Sequence, residues 1–277
     1  MSDSTTVPAA PGKPLRDAAT VMLLRDGHDG LEVFMLRRTL NAAFVGGFYV
    51  FPGGVVDDAD RHDDVGAVCE GRTDAEASDV LGIERGGLAF WVAAIRECFE
   101  EAGVLLARTP DHQFVSFDDA AVAARFGAHR AAIDDRSLRI VDLCRAEGLH
   151  LDLGEIAYVS HWITPVAEPR RFDTRFFVAH APDQQTPLHD DRETIASLWI
   201  RPSDALERQR RGDLQMIMPT IKNLESLLPH PTAADALHAV QVAGRPEVIF
   251  PRIVRQGDLM SVLLPGEPGY DDAPHDD

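Results

Sequence analysis

Apolar positions in this chain gather into short runs punctuated by polar turns. Ala18 to Leu24 and Leu31 to Arg37 read as two strands joined by the turn Asp-Gly-His-Asp-Gly, and 47–52 reads as a third, with Phe48, Tyr49, Val50 and Phe51 buried. Pro52-Gly53-Gly54 ends that third strand. From about 88 to 102 the apolar residues recur at helical spacing, and 111–150 reads as acidic helix with Leu138, Val141, Leu143 and Cys144 on one stripe. Strands follow near 155–163, 172–180 and 194–200, the last from the alternation Thr194, Ala196, Leu198, Ile200. Helices are predicted at 203–211, where Pro202 precedes a Ser203 cap, at 217–228 and at 231–241, with a short β segment at 259–264. Strands alternating with helices predict an α/β fold, and no internal repeat is visible.

A length of 277 residues allows a substantial core in one or two domains, and 45% hydrophobic residues is ordinary for a globular chain. The net charge of −18 disfavours nucleic acid and anionic membrane as partners. An anionic substrate must therefore be drawn in by local arginines and a cation. Three cysteines (Cys69, Cys98, Cys144) without metal spacing fit a reducing cytoplasm. Residues 1–15 read as a disordered lead-in rather than a signal peptide, 266–277 as a mobile tail, and no stretch approaches a membrane span.

The chemistry concentrates at 96–104, Arg-Glu-Cys-Phe-Glu-Glu-Ala-Gly-Val. Glu97, Glu100 and Glu101 stand at i, i+3 and i+4, on one helix face, where like charges repel. A chain accepts that cost where a divalent cation is bound. A solvated acidic face is the plainer reading, but Ala93, Ala94, Ile95, Cys98 and Phe99 surround the acids with core-type residues. Gly103 supplies the helix stop, and Gly53 and Gly54 let backbone carbonyls approach a hard cation.

Together these residues resemble the Nudix hydrolase signature: Gly, five residues, Glu, seven residues, then Arg-Glu-apolar-x-Glu-Glu-x-Gly-apolar. Arg96, Glu97, Cys98, Glu100, Glu101, Gly103 and Val104 match its second half, Gly54 its opening glycine, and Asp60 stands where the family has Glu. Gly54 and Arg96 are 42 positions apart, so a segment at about 61–88, acidic and glycine-containing, is inserted within the signature and reads as a surface excursion. The resemblance implies a Nudix α/β/α sandwich with a mixed sheet over 16–265, decorated by added helices at about 111–150 and 203–244.

The insertion, and Gly53, Gly54, Asp57 and Asp60 after Met35-Leu36-Arg37-Arg38 and Gly47, resemble the branch that holds the acyl-coenzyme A diphosphatases. Val45 replaces that branch's histidine and Tyr49 its valine. Trp162, Thr164, Pro165 and Arg170 to Thr174 resemble a second segment of the branch. Arg170 and Arg171 precede an apolar strand and have two readings, phosphate binding or pairing with surface acids. Glu193, ahead of a Trp-bearing strand, is by resemblance a metal ligand or base, and in the plainer reading simply exposed.

The resemblance implies a metal-dependent diphosphatase acting on coenzyme A or acyl-CoA. Mg²⁺ or Mn²⁺ would be held by Glu97, Glu100, Glu101 and the carbonyl of Gly53 or Gly54. The base would be Glu101 or Glu193, Arg96 would orient the acids, and Arg37, Gly53, Arg170 and Arg171 would meet the substrate. Another diphosphate (nucleotide sugar, dinucleotide, modified nucleotide) and a noncatalytic nucleotide-binding module stay open. Met216, Ile217, Met218 and Leu224 either line an acyl pocket or pack against the core or a second subunit, as in a homodimer.

Overall fold

A computed structural model describes residues 14–40, 46–166, 168–190, 193–256 and 259–273. Most of the expected lead-in, the Val45 position and the last four residues lie outside them. The strands are β1 (Leu15–Gly27), β2 (Gly30–Arg38), β3 (Tyr49–Val50), β4 (Gly53–Val55), β5 (Cys69–Glu70), β6 (Ala107–Arg108), β7 (His150–Asp152), β8 (Ala157–Ile163), β9 (Arg171–His180), β10 (Thr194–Ile200), β11 (Val248–Ile249), β12 (Arg252–Gln256) and β13 (Leu259–Leu263). The helices are α1 (Asp74–Leu81), α2 (Leu88–Ala102), α3 (Ala120–Asp134), α4 (Ile140–Glu147), α5 (Pro202–Arg210), α6 (Met218–Leu227) and α7 (Ala233–Ala243).

The main sheet runs β10-β2-β1-β9-β8-β11, with β3 on β2 and β4 on β1. The pairs β1–β9 and β8–β11 are parallel and the others antiparallel, so the sheet is mixed. Both of its faces are covered, which is why β1 reads as a continuous apolar run. Ala19, Val21 and Leu23 point into a core shared with α2, whereas Met22 and Leu24 point into a second core shared with α5 to α7. The same alternation sends Phe34 and Leu36 of β2 to the α2 side, and Val33 and Met35 to the other. This is an α/β/α sandwich with added helices.

Several expectations need correction. The insertion is no surface excursion: Val65, Val68, Ala77, Ser78 and Leu81 are buried in the α2-side core. Thr73 and Glu76 form a reciprocal capping box at the start of α1, and the Asp74 carboxylate accepts N–H bonds from Gly86 and Leu88. At Gly87 an added Cβ would come within 2.3 Å of the Ser78 backbone nitrogen, so α1 seats directly on the chain entering α2. Leu81→Ala is therefore expected to lower the unfolding free energy by about 2–5 kcal/mol, measured by urea titration, whereas a residue of a solvated loop would cost little.

The third strand does stop ahead of Pro52, at Val50, but the chain then resumes at once as β4 on β1. Pro202 is the first residue of α5, where its missing N–H is harmless, and Ser203 lies inside the first turn and does not cap it. The small sheet β5-β7-β6 was not anticipated, since strands of two or three residues show no alternation. Met216 and Leu224 are buried in the second core, as the packing reading holds, and Met218 is 36% exposed. Among the described residues, no helix is long and apolar enough to cross a membrane, and the three cysteines are free.

Candidate active site

β1 is long enough to carry two partners on one edge. β2 pairs with its end, Leu24 to Gly27, and β4 takes Ala18 to Thr20, with Ala19 opposite Gly54 and Thr20 opposite Gly53. α2 lies across this junction and brings its acids down onto β4. A Cβ at Gly54 would sit 2.5 Å from the Glu97 carboxylate, so any other residue would displace that carboxylate. The Gly53 N–H donates to Glu101 Oε2 at 2.9 Å. α2 then stops at Gly103, whose φ of +69° suits glycine and whose N–H returns to the Phe99 carbonyl. Arg130 of α3 donates to the carbonyls of Glu100 and Glu101, both at 2.9 Å, placing a cation at the negative end of the helix.

Arg96 organises the cluster from a position only 7% exposed. Its Nε donates to Asp60 Oδ1 at 2.9 Å, and its Nη2 to Asp60 Oδ2 and the Val55 carbonyl, both at 2.9 Å. Its Nη1 donates to Glu97 Oε1 at 2.8 Å and Glu100 Oε2 at 3.0 Å. Asp60, buried to 2% exposure, also accepts the N–H of Asp57 at 2.9 Å. The residue standing for the family's first glutamate is thus the fixed anchor of Arg96. Glu101 is 4% exposed and faces Arg38 Nη1 at 3.7 Å, and Arg38 Nη2 in turn lies 3.4 Å from Glu193. The Glu193 side chain is 60% exposed.

Burial and mutual repulsion, partly opposed by Arg96, push Glu97 up to about 7. Burial, with the Glu97 charge next, pushes Glu101 well above the ordinary carboxylate range against the pull of Arg38 and the Gly53 N–H. Glu100 is raised too, by burial against Arg96. When ionised, Asp60, Glu97, Glu100 and Glu101 outnumber the guanidiniums of Arg96 and Arg38 by two negative charges, an excess that a divalent cation would balance. The donors are hard oxygens throughout, as Mg²⁺ and Mn²⁺ require. Among the described residues no three such side chains form a ready ligand cage: Glu97 and Glu100 turn to Arg96, and Glu101 to the Gly53 N–H.

A pH dependence follows. Carboxylates whose folded pKa is raised stabilise the fold fully below about 4.5 and lose that contribution as pH rises through about 7. Groups held low, such as Asp142 and Asp173, act only in more acidic solution. The metal-free protein is therefore expected to melt at lower temperature at pH 8 than at pH 5.5. Mn²⁺ should raise the melting temperature more at pH 8, where fewer protons compete for the acids. Equal Mn²⁺ shifts at both pH values would count against a carboxylate site.

The remaining expected residues lie apart from the acids. Arg37 donates from Nε to the Gly47 carbonyl at 3.3 Å and sits 5.9 Å from the Tyr49 ring centre. Arg171 is half-buried and donates to the Thr164 carbonyl at 3.2 Å, and Arg170 is exposed. Arg171 pairs with Leu15, four residues before Ala19 and so about 13 Å along β1 from the Gly54 row. Arg38 and Arg130 were missed. Strand alternation carried the signal for Arg38, which shares the α2-facing parity of Phe34 and Leu36, whereas Arg37 shares that of Val33 and Met35.

Known proteins share this sequence pattern and fold. Residues 77–227 match the family model described as the NUDT19 Nudix domain. The chain is 26% identical to the acyl-coenzyme A diphosphatase NUDT19 of Gallus gallus, over 98% of this chain and 80% of that protein. It is 27% identical to the Homo sapiens protein of the same name, over 87% and 73%. The crystal structure of a Nudix hydrolase from Alicyclobacillus acidocaldarius superposes with a TM-score of 0.67 at 29% identity, covering 81% of this chain and 96% of that one.

Proposed function

Because the chain belongs to the NUDT19 Nudix domain family, we propose that this Nudix hydrolase cleaves the diphosphate of coenzyme A or acyl-CoA, yielding adenosine 3′,5′-bisphosphate and 4′-phosphopantetheine or its acyl derivative. The observation that carries the reading is the row of largely buried glutamates on α2, with Glu97 pressed against Gly54 and Glu101 bonded to Gly53 of β4. Glu97, Glu100, Glu101 and the Gly54 carbonyl would hold Mg²⁺ or Mn²⁺, which when bound neutralises the diphosphate and lowers the pKa of water.

The chain's own residues do the rest. Arg96 acts as a positioning residue: anchored on Asp60 and the Val55 carbonyl, it fixes the orientation of Glu97 and Glu100. The water oxygen adds to one phosphorus, the bridging P–O bond breaks, and the proton passes to Glu101 or Glu193. Glu101 is buried at the Gly53 turn beside the other acids, whereas the Glu193 side chain is 60% exposed, which favours Glu101. Arg38 lies between the two acids and neutralises whichever keeps its charge. Arg170, exposed at the open start of β9, and Arg171 supply cations for the substrate's outer phosphates, whereas Arg37 has the parity of the opposite sheet face and holds the Gly47 carbonyl. Three free thiols support a reducing compartment, the cytoplasm.

The test is mass spectrometry of products from a mixture of coenzyme A, acyl-CoAs, NADH and ADP-sugars with Mg²⁺ or Mn²⁺. Release of adenosine 3′,5′-bisphosphate, ahead of AMP from the other substrates, is expected. AMP as the dominant product would reassign the substrate to a dinucleotide or nucleotide sugar.

A further inference from the structure

The insertion that interrupts the signature does more than fill core. With α7 it walls a cleft of about 460 Å³ against the edge of β8, a volume within the range of small-molecule sites. β11 covers only His161 and Trp162 of that edge. The cleft is lined by Arg72, Asp79 and Val80 from the insertion, Ala157 and Tyr158 from β8, and Val240, Gln241, Gly244 and Arg245 from α7 and its exit.

Two buried donors here have no acceptor among the described residues, the Arg72 Nε and the O–H of Tyr158, whose oxygen lies within reach of the Arg175 guanidinium. Tyr158 as a whole is 5% exposed. Burial, with the Asp173 charge adding to it, pushes its hydroxyl up to about 12 against the pull of Arg175 and Arg245, so it is a neutral donor. The Arg72 guanidinium lies 5.1 Å from the Trp91 ring centre, and Arg245 caps α1 by donating to the carbonyls of Asp79 and Val80. In a chain of net charge −18, a cleft with two arginines and one acid, Asp79, runs against the average. Buried donors left unpaired are costly, and an oxyanion would satisfy both.

We propose that this cleft is a second binding site, for a small organic oxyanion: a phosphate or carboxylate head held by Arg72 and the Tyr158 hydroxyl, with an apolar body against Val80, Ala157 and Val240. It is separate from the catalytic acids: Arg72 packs at Trp91, and the nearest acid, Glu97, lies six residues, about 9 Å, further along α2. The site goes beyond the proposed activity and does not depend on it.

Calorimetric titration of the metal-free full chain with phenyl phosphate and, separately, benzoate tests it, and the probe that binds identifies the head group. At least one should bind with one-to-one stoichiometry. Arg72→Gln and Tyr158→Phe should each weaken that binding by about tenfold or more, the loss of one charged or buried hydrogen bond. Val240→Trp, at a half-buried cleft position, should block it, and Glu101→Gln should leave it unchanged. No saturable binding of either probe would overturn the proposal. So would binding indifferent to all three cleft variants, or binding lost in Glu101→Gln, which would place the probe at the catalytic acids. Tyr158→Phe keeps the ring packing and serves if Arg72→Gln fails to fold.

Discussion

Glu101→Gln is expected to remove turnover while leaving the protein folded and, without metal, more stable. The amide oxygen can still accept the Gly53 N–H, so the anchor between α2 and β4 survives. What disappears is a buried negative charge that repels Glu97 and that burial already disfavours. In EDTA at pH 8 the melting temperature should therefore rise. Mn²⁺ affinity should fall, and kcat should drop by at least about a hundredfold, near 2.7 kcal/mol or more of lost transition-state stabilisation. Glu193→Gln is the companion: its 60% exposed side chain predicts a loss of roughly tenfold if it only assists. Full metal-dependent turnover in a folded Glu101→Gln protein would remove Glu101 from the catalytic assignment. A larger loss in Glu193→Gln than in Glu101→Gln would make Glu193 the base.

Arg96→Met is expected to cost both stability and activity, and more stability than any single catalytic acid. The guanidinium serves Asp60, Glu97, Glu100 and the Val55 carbonyl at once, and methionine leaves three largely buried carboxylates without their cation. Breaking a buried pair in this way costs about 3–5 kcal/mol. For a domain of this size that corresponds to a melting temperature lower by on the order of 10 °C. Arg96→Lys should recover only part of it, because one ammonium cannot span Asp60 on one side and two glutamates on the other. Thermal scans and urea titrations of both variants measure this. Moreover, Asp60→Asn combined with Arg96→Met should be less than additive, since the two residues share one interaction. Additive losses would mean that the pair acts as two independent sites.

Much of the site was legible along the chain. The acids at i, i+3 and i+4 did fall on one face, and their apolar neighbours did signal burial, with Glu101 only 4% exposed. The α2 boundaries fell where apolar periodicity and Gly103 placed them. The insertion misled because its buried apolar residues sit in elements too short to show a period, Val65 and Val68 in one four-residue 3₁₀ turn and Leu81 at the end of the eight-residue α1. Acidic composition alone then looked like solvated loop, although a few apolar residues were enough to anchor it in the core.

By itself the sequence determined the α/β alternation, the acidic face of α2 and the glycines that let β4 approach it, because each is written in spacings of a few residues where covalent geometry sets which side chains share a face. Only the tertiary structure decided that Asp60 anchors Arg96 from 36 positions away, that Arg38 rather than Arg37 meets Glu101, and that the insertion belongs to the core. Those outcomes depend on which segments pack side by side, and burial then fixes which charges must find each other.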